Sequence, residues 1–392
     1  MKIITSGGWS YGNIGDEVIL TSTIFLLHKY FEKDNLIFTS YNKNEFMKYY
    51  NDKVVFSLHY LLEKEDINIQ NYNDVLSNTD YYGLNDYVNM FDQDTLFIMS
   101  GGGYFVEDWE SQFVSRLLEI AIAKSKGAKV VVIGQSIGPI ITRNGMVALK
   151  NELNKCDYIA VRDLDTIQLL KDIEVQTKVN YIPDLAVVIS DILPSKNRDK
   201  NTIGIMPAAY SSYTSISSNK KNKFIEKIKK RFSKPGILYR KEYKKIINEL
   251  SKNNKIKIIL STQWKWDIDF AKYLIKDVNQ EKIDFIYTTN AKELCEQLSK
   301  INVLISTKMH PLIVASSYNI PTIGISYNFK VDNYMKMIGR EKYCCRIDKL
   351  KATNILPLVH SNEIDINMDL FKEKVYQMMY QIKEITSNEQ RK

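Results

Sequence analysis

Short runs of branched apolar residues recur along the chain, and most end in glycine or a small polar cluster. Lys2 to Thr5 reads as a strand leading into Gly7-Gly8, and Glu17 to Tyr30 then has the apolar spacing of a helix. Thr95 to Met99 is a second strand that runs into Gly101-Gly102-Gly103, and an amphipathic helix is expected over Phe113 to Ser125. Lys129 to Ile133 is a third strand, ending in Gly134-Gln135-Ser136-Ile137-Gly138-Pro139. A helix (Met146 to Asn154), a strand (Tyr158 to Val161) and a helix (Thr166 to Leu170) follow. Strand, glycine turn and helix in alternation predict a doubly wound parallel sheet.

The chain turns polar from Asp191 to Asn201, which reads as a linker, and the alternation then restarts. Strands are expected at Thr202 to Met206, Lys257 to Ser261, Asp284 to Tyr287, Val303 to Ser306 and Thr322 to Ile325. Between them lie helices at Lys241 to Asn253, Trp266 to Asp277, Ala291 to Lys300 and Pro311 to Tyr318. The tail from Asp365 to Ile385 has the pattern of one amphipathic helix. The expected class is therefore α/β, with two Rossmann-like domains facing a cleft. They occupy 1–191 and 202–350. A helical tail, 351–392, is expected to pack on the first domain.

Length and composition narrow the class. A chain of 392 residues with 44% hydrophobic and 26% charged residues suits two globular domains rather than a disordered or fibrous protein. No apolar run reaches the length of a membrane span, and the first residues lack a signal-peptide pattern, so a cytoplasmic location is expected. Cys156, Cys295, Cys344 and Cys345 form neither a CxxC pair nor a disulfide framework. No metal-ligand spacing appears, so no metal is expected.

The net charge of +8 is modest, and much of it sits in Lys220 to Lys245. That stretch has two readings: a solvated helix face, or a patch for anionic lipid, a diphosphate carrier or an acidic glycan. The second would hold the protein at the inner face of the membrane. Nucleic acid is not expected, because no recognition motif accompanies the charge.

Candidate chemistry gathers at the ends of strands. Gly12-Asn13-Ile14-Gly15-Asp16-Glu17 joins the first strand to the first helix, where glycines admit a close ligand and a helix start offers N–H groups. It is neither a P-loop nor a GxGxxG fingerprint. Asp16 and Glu17 either complement the helix dipole or bind sugar hydroxyls. Gly102, Gly103 and Gln135 sit in the two later glycine segments, expected as loops opening on one sheet edge. Arg162 ends a strand, where it either binds an anion bidentately or pairs at the surface with Asp163 or Asp165. His310 stands at a strand-to-helix junction, two residues after Lys308 and just before Pro311. It either transfers protons beside an anion or caps and packs the junction. Lys330, after the strand Thr322 to Ile325, can serve phosphate as a point charge.

In this order, these segments resemble the polysaccharide pyruvyl transferase family. The resemblance is carried by Gly12 to Glu17, Gly101-Gly102-Gly103-Tyr104-Phe105, Gly134 to Pro139, Val161-Arg162-Asp163, Pro183-Asp184-Leu185-Ala186, Ser306 to His310, and Tyr327 to Lys330. It implies a glycosyltransferase-B-like fold, with 1–191 on the acceptor side and 202–350 on the donor side. It also implies transfer of a pyruvyl group from phosphoenolpyruvate, as co-substrate, to hydroxyls of a cell-surface or exopolysaccharide sugar. That acceptor can be free or lipid-linked. The product is a ketal and the by-product phosphate, with no cofactor. Under the resemblance His310 is the acid/base candidate, and Arg162, Lys308 and Lys330 hold the donor. Asn13, Asp16 and Glu17 lie on the acceptor side, and Gly12, Gly15, Gly102, Gly103 and Gln135 supply backbone ligands. Two departures stand out. Lys308 takes a place where the family often has arginine, keeping the charge but losing the fork. Asp165-Thr166 replaces a serine-containing continuation. A nucleotide-sugar glycosyltransferase and a non-catalytic glycan-binding protein are the alternatives that the same two-domain pattern allows.

Overall fold

The computed structural model describes residues 1–9, 12–210, 220–261, 265–327, 329–361 and 367–387; the side chains of 220–225 and 329 are not described. The elements in the first half are β1 (Lys2–Ser6), α1 (Ile14–Tyr30), β2 (Leu36–Ser40), α2 (Lys43–Tyr49), β3 (Lys53–Phe56), α3 (Leu58–Leu61), α4 (Tyr72–Ser77) and α5 (Asn85–Val88). They continue as β4 (Thr95–Phe105), α6 (Glu110–Ser125), β5 (Lys129–Ile137), α7 (Arg143–Leu153), β6 (Tyr158–Val161), α8 (Leu164–Asp172) and β7 (Val179–Tyr181). The second half runs α9 (Ile189–Ile192), β8 (Thr202–Met206), α10 (Lys220–Phe232), α11 (Lys234–Asn253), β9 (Lys255–Leu260), α12 (Lys265–Ile275) and β10 (Ile283–Tyr287). It ends with α13 (Ala291–Ser299), β11 (Val303–Ser306), α14 (Met309–Ser317), β12 (Thr322–Ser326), α15 (Phe329–Met337), β13 (Cys344–Arg346), α16 (Ala352–His360) and α17 (Met368–Ser387).

Two parallel sheets result. The first has the order β3-β2-β1-β4-β5-β6-β7 and the second β10-β9-β8-β11-β12-β13. Each starts in its middle, winds outward to one edge, then restarts on the other side. That creates a topological switch point between β1 and β4 in one sheet and between β8 and β11 in the other. In open sheets of this kind ligands bind beyond the carboxyl ends of the strands at that point. The central strands β4, β8, β11 and β12 are almost wholly buried, as continuous apolar runs covered on both faces should be. The edge strands β3 and β10 are partly exposed.

Helix starts follow local chemistry. Thr142 accepts from the Gly145 N–H at the start of α7, Asp163 from Thr166 at α8, and Asn290 from Glu293 at α13. Each satisfies a donor that the first helical turn leaves open. Ser233 does the same for α11, with Pro235 in its first turn. Ser233 thus divides the lysine-rich stretch into α10 and the first part of α11.

Several expectations change. β4 and β5 do not end at Met99 and Ile133. They continue through the glycine segments, pairing Gly102 with Gln135 and Phe105 with Ile137 around a register shift. Gly102, at a φ of 134°, supplies the irregular backbone that this shift needs. The two segments expected as open loops are therefore mostly strand. β2, β3, β7 and β13 are additional strands; β3, β7 and β13 are short and part-exposed, whereas β2 is fully buried.

The chain divides into two compact units: residues 1–11, 19–185 and 370–392, and residues 12–18 and 186–369. Gly12–Val18, at the start of α1, thus groups with the second unit. So does α16, where the Ala352 N–H donates to Glu242 at 2.9 Å. α17 packs on the first unit: Tyr158 Oη donates to Gln381 at 3.0 Å and Lys129 Nζ to the Ile385 carbonyl at 2.8 Å. Of the expected tail helix, Asp365 and Ile366 lie outside the described residues.

Candidate functional site

In the second unit the segment after β11 is fixed before its side chains come into play. The Thr307 N–H and Oγ1 both donate to the Met206 carbonyl at 3.1 Å, tying the exit of β11 to the exit of β8. Ser306 Oγ accepts from the Lys308 N–H at 2.9 Å and donates to the Lys308 carbonyl at 3.0 Å. These bonds hold Lys308 as the extended residue preceding α14, and Pro311 is buried in the first turn. Lys308 and His310 therefore stand at the β8–β11 switch point by backbone construction.

The charge of Lys308 has a partner that sequence reasoning missed. Its Nζ lies 3.7 Å from Oδ2 of Asp267, a carboxylate 1% exposed against 26% for the lysine. Asp267 Oδ1 accepts from the Ala209 N–H at 2.8 Å, so this aspartate braces the loop after β8 and the lysine after β11 together. Burial lowers the Lys308 pKa, and the Asp267 carboxylate opposes that shift without reversing it. Asp267 stands among the apolar positions of α12, where an acidic residue is out of place on a buried face. That was the available signal.

His310 meets the start of α1. A Cβ built on Gly15 would lie 2.1 Å from His310 Nδ1 and 2.5 Å from Cγ. Gly15 is thus a glycine because the imidazole sits against its backbone. Asn13 organises the same turn, its Oδ1 accepting from the Gly15 N–H at 3.1 Å and its carbonyl from the Asp16 and Glu17 N–H groups. Gly12, at φ 81°, gives the chain the left-handed step into the helix. Asp16 is buried and Glu17 half-buried, both in the first helical turn. The structure so brings Gly12, Asn13, Gly15, Asp16 and Glu17 into the unit that holds Lys308 and His310. Lys330 lies in the first turn of α15, after β12, the strand beside β11. Asn328 lies outside the described residues.

Arg162 and Gln135 belong to the first unit. Arg162 is buried, so of its two readings the exposed surface pair with Asp163 or Asp165 does not hold. Its Nη1 pairs with Asp184, and its Nε donates to Ser136 Oγ at 2.8 Å. Asp163 instead caps α8. The Pro183 to Ala186 segment thus contributes the carboxylate that holds Arg162. Gln135 turns inward, its Nε2 donating to the Ser100 carbonyl at 2.8 Å. Gly102 and Gly103 lie within β4, beside Tyr104, whose hydroxyl donates to the Gly8 carbonyl at 2.5 Å.

The β1 exit has a buried charged cluster that the sequence does not advertise. Arg116 and Glu119 of α6 are 1% and 0% exposed and pair at 2.7 Å. Ser6 Oγ donates to Glu119 at 2.8 Å, and Tyr87 Oη donates to it at 3.3 Å. Burial raises the Glu119 pKa even with Arg116 beside it. An i,i+3 acid–base pair on an amphipathic helix ordinarily reads as surface decoration.

Among the described residues no group of three or more His, Cys, Asp or Glu could hold a metal ion, and no helix is long and apolar enough to cross a membrane. The four cysteines are free thiols.

The family model for polysaccharide pyruvyl transferase matches residues 13–328, and the chain belongs to that family. No curated protein matches the chain in sequence. Among solved structures, UDP-GlcNAc 2-epimerase from Methanocaldococcus jannaschii is similar at a TM-score of 0.61 and 12% identity, covering 97% of this chain and 99% of that one. A putative UDP-N-acetylglucosamine 2-epimerase from Listeria monocytogenes gives 0.57 and 9%, covering 92% and 89%. Acinetobacter baumannii MurG gives 0.51 and 8%, covering 99% and 100%. At these identities the likeness speaks for the fold alone, two parallel-sheet α/β domains of glycosyltransferase-B-like kind.

Proposed function

We propose that this polysaccharide pyruvyl transferase family member moves the pyruvyl group of phosphoenolpyruvate onto two hydroxyls of a cell-surface or exopolysaccharide sugar, forming a ketal and releasing phosphate. The observation that carries the reading is the β8–β11 switch point, where a lysine braced by a buried carboxylate stands two residues from a histidine packed on Gly15.

The chemistry suits those groups. His310, as imidazolium, delivers a proton to the donor methylene, which becomes a methyl group. The adjacent carbon, carrying the phosphate oxygen and the carboxylate, becomes an oxocarbenium centre. One sugar hydroxyl adds there and loses its proton to the neutral imidazole. The carbon–oxygen bond to phosphate then breaks, and phosphate departs with the bond pair and the proton that His310 had taken up. The second hydroxyl closes the ring, losing its proton to the freed imidazole. Lys308 and Lys330 neutralise the donor's phosphate and carboxylate, and Arg162 keeps an anion-binding role in the first unit. Asn13, Asp16 and Glu17 serve the acceptor hydroxyls, with Gly12 and Gly15 admitting the ligand to the backbone. The reading takes phosphoenolpyruvate as co-substrate and gives no step to a cofactor. The basic run of α10 and α11 fits a carrier-linked acceptor or anionic lipid at the inner face of a membrane.

Thermal-shift comparison tests the donor. Stabilisation by phosphoenolpyruvate, lost in Lys308→Ala, is expected. Stabilisation by UDP-sugars alone would favour a nucleotide-sugar glycosyltransferase, and glycan binding without phosphate release a binding protein.

A further inference from the structure

The first unit carries a groove of about 840 Å³, open to solvent, between α7 and the start of α4. Its lining is unusual for an exposed surface. Gln70, Asn73, Asn144, Asn151 and Asn154 present five amide side chains, with Arg143 and the half-exposed Val147 among them. Arg143, Val147 and Asn151 follow at i, i+4 and i+8, so they form one stripe along α7. Asn154 accepts from the Gln176 N–H at 2.7 Å, while the other four amide side chains make no hydrogen bond to another described residue and Arg143 no ion pair with one. The floor is firm, being formed by the buried Tyr72 and Glu152, and Lys155 binds Glu152 at 2.6 Å.

Asparagine is a poor helix former, and an exposed helix face is ordinarily filled by lysine and glutamate. Here two asparagines lie within α7 and a third within α4. Side-chain amides offer both donors and acceptors, matching hydroxyls that are themselves both. Apolar patches between them suit the C–H faces of sugar rings. A single arginine can take the carboxylate of an acidic sugar without making the groove selective for polyanions.

We propose that this groove of the first unit holds a run of the acceptor polysaccharide, as a second glycan-binding site. That its occupant is a glycan rests on the polysaccharide reading above. The groove anchors the polymer and raises the local concentration of acceptor sugars.

The test is affinity electrophoresis of the full chain through gels containing envelope polysaccharide purified from the source cell. Retention is compared with turnover on short oligosaccharides cut from the same polymer. The polymer is expected to retard the parent protein. Asn73→Ala combined with Asn151→Ala should weaken retention about tenfold, the loss of one to two hydrogen bonds. Val147→Glu should do likewise, while phosphate release on the short acceptor stays unchanged in both. Equal retention of parent and variants overturns the proposal, as does a parent that the polymer does not retard. Self-association of the parent that these substitutions abolish would assign the groove to a protein contact and also overturn it. Normal polymer retention without turnover of phosphoenolpyruvate supports the groove while counting against the donor reading.

Discussion

Replacing Gly15 by alanine adds one methyl group, and the structure states where it goes. The new Cβ would stand 2.1 Å from His310 Nδ1. An ordinary contact needs roughly 3.5 Å, so the imidazole or the first turn of α1 must give by more than about 1 Å. The ring cannot yield as a flexible chain end does, because Pro311 follows it and its backbone lies in α14. A misplacement of that size at a reacting group costs on the order of 100-fold in rate, about 2.7 kcal/mol of barrier. Helix propensity pulls the other way, since Gly→Ala in a helix gains up to about 1 kcal/mol. Gly15→Ala should therefore keep or nearly keep its melting temperature while phosphate release on phosphoenolpyruvate and acceptor falls about 100-fold. The two effects are coupled through one side chain. In a His310→Ala background, which leaves room for the methyl group, Gly15→Ala should cost little further activity. Full activity in the single variant, or independent losses in the double variant, would refute the link between the α1 turn and the histidine.

Other outcomes follow from the same structure. Asp267→Asn removes the one influence holding the Lys308 pKa up against burial, so the cation is lost at lower pH. The alkaline fall of phosphoenolpyruvate binding should move toward neutrality, and an unmoved profile would contradict the pairing. Asp184→Asn removes the carboxylate paired with Arg162 at a site where both partners are 5% exposed. Urea unfolding should show a loss of about 3–5 kcal/mol, and a loss below about 1 kcal/mol would mean that the pair is not buried in solution. Burial and the Arg116 charge depress the His59 pKa to about 4. The unfolded chain, with an ordinary histidine near 6.5, then binds the extra proton between those values, so stability falls as pH drops through that window. His59→Gln should flatten the melting temperature against pH there, and an unchanged slope would locate the proton uptake elsewhere.

Where apolar runs were long, the fold was legible in the sequence. β8 and β11 appear at the expected bounds because each is a fully buried run ended by a turn residue or small polar group. β3 and β7 were not legible, being short strands with part-exposed side chains and little alternation. The glycine segments misled for a physical reason. Glycine marks freedom of backbone, and here that freedom serves a bulged ladder between β4 and β5 rather than an open loop. The positions of Lys308 and His310 could be read from a strand-to-helix junction. The contacts of Lys308 with Asp267 and of His310 with Gly15 could not, since these partners come from α12 and α1, far away in the chain. Arg162 shows the same limit. Its partner Asp184 lies 22 positions away, beyond the reach of local charge patterning.

The central claim is that phosphoenolpyruvate supplies the group transferred. Phosphoenolpyruvate labelled with carbon-13 at the carbon bearing phosphate, incubated with this protein and envelope polysaccharide, tests it directly by NMR. The account predicts that the label appears as a quaternary ketal carbon on the glycan, one phosphate released for each, and that His310→Ala suppresses both. Label that stays in phosphoenolpyruvate, or is released as free pyruvate while the glycan is unmodified, would contradict it.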